Sequence, residues 1–200
     1  RKQQRSCCPP GALQAAPRTG YTPTGSVFDM GGRGLKAYMT GGSPNDSWLD
    51  KPVIVMAHDI LGPETGRHYE LADYWARELC GICIVPDYFH GSSLLEEDPG
   101  PQGLWFMLKI IPALISGKMS AFMKRFTPAE IQADTEVIHK FLSERGVERF
   151  GMVGVCWGAY PVFKAAGIAN PTGPKLVCCA SFHPSVEGVA KAFGEDHEEI

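Results

Sequence analysis

Four short apolar runs, separated by stretches with a helical period, constrain this chain more than any other feature. They are Val53–Ala57, Ile82–Pro86, Phe150–Val155 and Leu176–Phe182. A continuous apolar run of strand length reads as a strand covered on both faces. From His68 to Leu79, between the first two runs, Leu71, Tyr74, Trp75 and Leu79 recur at three- and four-residue steps, which predicts a helix. Before the third run, Thr127-Pro128-Ala129-Glu130 spells a capping box with proline in the first helical position. Ile131, Val137, Ile138, Phe141 and Leu142 share one face behind it, and Gly146 marks the stop. A further helix is expected from Trp157 to about Ala169. Buried strands alternating with amphipathic helices predict right-handed crossovers and an α/β fold, a mainly parallel sheet with helices on both faces. Ser26–Met30 and Gly34–Met39 are strand-like runs around Gly31-Gly32-Arg33-Gly34, so an N-terminal antiparallel hairpin is expected at one edge. At 200 residues the chain has room for one domain. The expected division is an irregular arm over 1–25, rich in Pro, Gly, Thr and Arg, and an α/β domain over 26–200. No internal repeat is apparent.

Composition narrows the function classes. Hydrophobic residues make up 44% and charged residues 20%, which excludes a disordered or collagen-like chain. A net charge of -3 argues against a general nucleic-acid binder, which carries a concentrated basic surface. No apolar run is long enough for a transmembrane span; the longest, Leu104 to Ile115, is interrupted by Lys109 and Pro112. The opening Arg1-Lys2-Gln3-Gln4-Arg5-Ser6-Cys7-Cys8 has no apolar core behind its charges, so no secretory signal is expected there. The first residue is not Met, which leaves room for a targeting segment upstream. Of the seven cysteines, Cys7-Cys8 and Cys178-Cys179 are adjacent pairs that rarely bridge, and Cys80 to Cys83 has the spacing of half a zinc site without its second half. Cys83, Cys178 and Cys179 fall inside β-branched runs and are expected as buried thiols. A reducing, cytoplasmic setting is the simplest expectation.

Gly154-Val155-Cys156-Trp157-Gly158 joins the third run directly to the helix that follows. A strand that reverses sharply into a helix holds its apex residue in a strained conformation and lifts the side chain above the sheet. Glycine is required on either side, since a Cβ there would meet the neighbouring strand or helix. The N–H of Trp157 would then point to where a substrate oxyanion forms, and the helix start is expected to lower the Cys156 pKa. The plainer alternative is a buried cysteine between two packing glycines.

His58-Asp59-Ile60-Leu61-Gly62 follows the first run and Pro86-Asp87-Tyr88-Phe89-His90-Gly91 closes the second. Together with the Gly154–Gly158 pentapeptide, these segments resemble the dienelactone hydrolase family, over about Val27 to Ser185. The resemblance implies an α/β-hydrolase fold and a Cys-His-Asp triad with Cys156 as nucleophile. It implies an oxyanion hole made by the backbone N–H groups of Ile60 and Trp157, with Gly154 and Gly158 as the elbow glycines. It puts Asp59 where the family has an acidic residue that meets the resting thiol. It also implies that the triad acid and base follow two further strands, past residue 200, so the C-terminal part of the fold is expected to be missing from this chain. Bacterial members hold a substrate carboxylate with an arginine shortly after the Pro-Asp segment. Here His90-Gly91-Ser92 stands in that stretch, which argues against dienelactone itself as substrate. Pro161, near the first turn of the nucleophile helix, is expected to cost a hydrogen bond or force a kink.

The remaining candidates carry weaker signals. His183 closes Ser181-Phe182-His183-Pro184-Ser185 at the carboxyl edge, where open α/β sheets bind their ligands, and is a pocket candidate. His90, in its loop, is another. His58 reads as a hydrogen-bonded structural residue and His139 as a surface residue of the capped helix. Asp196 and His197 sit in an acidic run that reads as solvated surface. An apolar excursion within 98–126 carries Trp105, Phe106, Ile110 and Phe122 among several cations. It fits a cap over the active-site mouth, an interfacial helix, or a segment packed on the domain. Cys7-Cys8 beside Arg1, Lys2 and Arg5 fits either acylation or a plain arm. The function expected is hydrolysis of a small ester or lactone through a Cys156 thioester, with no metal or organic cofactor. The first rival is a catalytically silent α/β-hydrolase domain acting as a structural or binding subunit with protein partners. The second is a thiol-redox sensor using Cys156.

Overall fold

A computed structural model describes residues 20–65, 67–92, 94, 117–167 and 173–196. Among the described residues six strands form one sheet: β1 (Ser26–Asp29), β2 (Lys36–Thr40), β3 (Val53–Ala57), β4 (Ile82–Pro86), β5 (Arg149–Val155) and β6 (Lys175–Phe182). Their order is β1-β2-β4-β3-β5-β6. The β1–β2 and β2–β4 pairs are antiparallel, and β4–β3, β3–β5 and β5–β6 are parallel. The described helices are α1 (His68–Glu78), α2 (Lys118–Met123), α3 (Pro128–Glu144), α4 (Ala159–Gly167) and α5 (Val186–Phe193). No helix among the described residues is long and apolar enough to cross a membrane.

The two-residue period of the central strands sorts their side chains onto two faces. Val53, Val55 and Ala57 of β3, with Ile82 and Ile84 of β4, join the larger core beside Ile131, Ile138, Phe141 and Leu142 of α3 and Tyr160, Val162 and Ala165 of α4. Met56, Cys83 and Val85 point the other way, to Tyr38 of β2 and to Ala72 and Ala76 of α1. Each large aliphatic side chain removed from water in this way stabilises the fold by about 1.5–3 kcal/mol. Both faces of β3 and β4 are covered, which is why these strands are apolar at nearly every position.

The capping box of α3 forms as the sequence predicts. Thr127 Oγ1 accepts from the Glu130 N–H at 3.3 Å, and the Glu130 carboxylate accepts from the Thr127 N–H at 3.0 Å. The face of α1 is a correction. Of the Leu71, Tyr74, Trp75, Leu79 stripe, Leu71 and Trp75 are partly buried against the core cluster, Tyr74 and Leu79 are exposed, and the fully buried positions are His68, Glu70, Ala72, Asp73 and Ala76. Small alanines let the helix approach β2 and β4 closely, and Asp73 is paid back for its burial by hydrogen bonds. Its carboxylate accepts from Tyr38 Oη at 2.6 Å, Tyr21 Oη at 2.7 Å and the Thr24 N–H at 2.9 Å. These bonds also pin residues 21–25 to the domain, so the described end of the arm is irregular but fixed.

Two further expectations need correcting. Cys83 is buried, but Cys178 and Cys179 are exposed, because β6 pairs with β5 alone and stands at the edge of the described sheet. His139 is half-buried rather than a surface residue, its ring edge-on to Phe150 at 5.1 Å, and burial lowers its pKa. Most of the 98–126 excursion, including Trp105, Phe106 and Ile110, lies outside the described residues, as do Cys7, Cys8 and His197. Its described end packs on the domain: Phe122 and Phe126 are buried, with ring centres 4.9 and 4.7 Å from Phe89.

Candidate active site

The polypeptide turns from β5 into a short 3-10 turn, Cys156–Gly158, and then into α4. Cys156 takes φ +53°, in the left-handed region that L side chains avoid. The turn is tight because of its glycines. A Cβ at Gly154 would collide with the carbonyl of Gly158, and one at Gly158 would collide with the carbonyl of Ala57 at the end of β3. Pro161 does not end α4, which runs on to Gly167. It is the third residue of α4, in the first turn, where a missing N–H leaves no helical bond unmade.

The loop after β3 meets this turn from the neighbouring strand. The backbone N–H groups of Ile60 and Trp157 act on the Cys156 sulfur in the direction that favours its thiolate. Ser185, just past β6, supplies a third polar contact, with its Oγ 3.4 Å from Sγ. The Asp59 carboxylate acts on the same thiol by its charge. Asp59 in turn feels His68 of α1 and His183 of the turn after β6. Cys156, Ile60, Trp157, Asp59 and His183 thus share one locality at the carboxyl ends of β3, β5 and β6.

The titration of this cluster corrects one expectation. Burial pushes the Cys156 pKa up; the Ser185 hydroxyl pulls it down, the Asp59 charge raises it, and the Trp157 and Ile60 N–H groups lower it. The net direction is upward, so the resting sulfur is a neutral thiol. The helix start that was expected to lower the pKa is a three-residue 3-10 turn, and desolvation outweighs it. Burial likewise raises the Asp59 carboxyl, against the charges of His68 and His183 and a hydrogen bond from the Leu61 N–H.

Two histidines hold the loop in shape. His58 is fully buried, and its Nδ1–H donates to the Asp59 carbonyl at 2.7 Å. Burial keeps its imidazole neutral, with the pKa pushed down to about 3. Its ring stacks on Trp157 at 5.8 Å and meets Phe89 edge-on at 4.7 Å. His68, whose role the sequence reading missed, donates from Nδ1 to the Thr65 carbonyl at 2.7 Å and accepts the Asp59 N–H on Nε2 at 3.3 Å. Its only sequence signal is its position at the start of α1, just after the Gly62-Pro63 loop. Ser185 was also missed, although it lies at the same carboxyl edge as His183.

His90 is engaged elsewhere. Its Nε2 lies 2.8 Å from Asp134 Oδ2 of α3, and Asp134 Oδ1 accepts from Arg33 Nε at 2.9 Å. Among the described residues, no three His, Cys, Asp or Glu side chains are grouped to hold a metal ion.

A mostly parallel sheet with helices on both faces and a tight turn between β5 and α4 define an α/β-hydrolase. A family model described as the dienelactone hydrolase family matches residues 35–197, and the chain belongs to that family. It is a hydrolase of the dienelactone hydrolase type. The fold is shared with a crystal structure from Klebsiella pneumoniae subsp. pneumoniae MGH 78578, provisionally named a dienelactone hydrolase. That chain is 16% identical, with a TM-score of 0.50 over 85% of this chain and 80% of its own. A search of curated protein sequences finds no match.

Proposed function

We propose that the protein hydrolyses a small ester or lactone, with Cys156 as the nucleophile. The thiolate of Cys156 attacks the carbonyl carbon, and the developing oxyanion takes the N–H groups of Ile60 and Trp157. The C–O bond then breaks, the alcohol leaves with a proton, and a thioester remains on Cys156. Water adds to the thioester, releases the carboxylic acid and returns the thiol. A histidine that the family resemblance implies downstream of β6 takes the proton from that water. No step needs a metal or an organic cofactor.

The observation that supports this reading most is the company Cys156 keeps: a left-handed backbone just past β5, the Ser185 hydroxyl 3.4 Å from its sulfur, and main-chain N–H groups of Ile60 and Trp157 that favour its thiolate. A buried cysteine kept only for packing needs no such donors. The neutral resting thiol is compatible with the reading, because the proton can leave when substrate or base arrives. The substrate is a small molecule, and a free-thiol nucleophile suits the reducing cytoplasm. We read 26–200 as the catalytic domain and 98–126 as an insertion whose described end lies beside Phe89, next to the His58–Trp157 stack.

Cys156→Ala tests the reading with p-nitrophenyl acetate as substrate. Hydrolysis is expected to fall at least a hundredfold while the circular dichroism spectrum is unchanged. Turnover equal to that of the wild type would mean that Cys156 is not the nucleophile and would end the proposal.

A further inference from the structure

Cys156 and the turn after β6 are joined twice. The Ser185 N–H donates to the Cys156 carbonyl at 3.1 Å, and the Ser185 hydroxyl lies 3.4 Å from the Cys156 sulfur. Both partners of this contact depend on strained backbone. Cys156 has φ +53°, and His183, two residues before Ser185, has φ +38°. Left-handed non-glycine residues are strained, and they persist where the surroundings hold them. Here His183 and Pro184 reverse the chain after β6, bring Ser185 back over the elbow and start α5, where the Val189 N–H bonds to the Ser185 carbonyl at 3.1 Å.

We propose that Ser185 is a positioning residue for the Cys156 nucleophile, its hydroxyl serving the sulfur in both of its protonation states. This rests on the hydrolytic reading given above. A hydroxyl carries one donor and two acceptor sites and turns freely about its C–O bond. With the thiol neutral, Ser185 Oγ accepts the S–H. When that proton leaves to the base or to solvent, the hydroxyl turns and donates to S⁻. The Ile60 and Trp157 N–H groups can only donate, so without Ser185 the neutral thiol has no acceptor at this distance among the described contacts. The hydroxyl also fixes the side-chain rotamer, because it approaches from β6 while the two N–H groups approach from the elbow and the loop after β3. The titratable groups around the sulfur are Asp59 from that loop, with His68 of α1 and His183 of the β6 turn acting on Asp59.

The test is the pH profile of Cys156 alkylation by iodoacetamide, followed by mass spectrometry of the peptide that carries Cys156. In this reaction the thiolate forms the C–S bond and iodide leaves. A lost hydrogen bond to a thiolate is expected to move the Ser185→Ala profile up by about one pH unit, which is about tenfold slower labelling at pH 7. Ser185→Thr keeps the hydroxyl and is expected to return the wild-type profile. Cys83, buried on the far face of the sheet, reports a folded chain by staying unlabelled. A profile unmoved in Ser185→Ala, or moved as far in Ser185→Thr, overturns the role of Ser185. If Cys156→Ala has meanwhile lost hydrolysis, the failure is that of Ser185 alone; if Cys156→Ala hydrolyses normally, the hydrolytic reading and this role fail together.

Discussion

Gly158 lies so close to the end of β3 that a Cβ on it would sit 2.5 Å from the carbonyl oxygen of His58. That oxygen is main chain, on the first residue past β3, where the buried His58 ring and its bond to the Asp59 carbonyl hold it in place. The elbow and the loop carrying Asp59 and Ile60 are therefore packed against each other with no room for one carbon. Gly158→Ala is expected to lower stability by about 1–3 kcal/mol, the usual cost of overpacking an interior. Urea unfolding followed by tryptophan fluorescence reads this as a lower midpoint. An unchanged midpoint would mean that the two segments are farther apart than described.

Asp73 makes a separate prediction about acid. Burial alone would raise its carboxyl, but hydrogen bonds from Tyr21, Tyr38 and Thr24 outweigh that and hold it below its ordinary value. A carboxyl depressed in the folded state contributes stability above its unfolded pKa, about 4, and loses it as pH falls through the folded value. Asp73→Asn is expected to cost about 1–3 kcal/mol at pH 7. The gap from wild type should narrow below about pH 4. Urea midpoints of both proteins at pH 7 and pH 3.5 check it; a gap that stays constant contradicts the assignment.

His58 acts over a different window. Its folded pKa of about 3 lies below the unfolded value near 6.5, so the unfolded chain binds the extra proton between them. Stability from this group is full above about pH 6.5 and falls as pH drops toward 3, by at most about 1.4 kcal/mol per pH unit. His58→Asn keeps a donor for the Asp59 carbonyl and removes the titration. Its midpoints at pH 7, 6 and 5 are expected to fall less steeply than those of the wild type, and parallel slopes would contradict a neutral buried imidazole.

The sheet was legible because β3 and β4 are covered on both sides, so burial wrote itself into uninterrupted apolar runs such as Val53–Ala57. The cap of α3 was legible because Thr127 and Glu130 act within four residues of each other. Long-range compensation was not. The buried face of α1 carries Asp73, which is tolerated only because Tyr21 and Tyr38, far off in sequence, donate to it. Cys178 and Cys179 sit in a run that looks like interior, yet nothing in a local pattern says that β6 has β5 as its only described neighbour.

At the site, the same division holds. The elbow glycines and Cys156 stood out because the turn is local. The thiol's environment stood out only in part: the family resemblance names Ile60, Trp157 and Asp59, but Ser185 comes from another segment and the burial that raises the pKa is a property of the whole packing.

Trapping the acyl-enzyme tests the nucleophile most directly. The protein is mixed with excess p-nitrophenyl acetate, quenched in acid within seconds, digested and read by mass spectrometry. An acetyl group that appears on the Cys156 peptide, is removed by hydroxylamine at neutral pH and disappears as turnover completes is the expected result. Hydrolysis that proceeds with Cys156 unmodified at every time point, while another side chain carries the acetyl group, would contradict it.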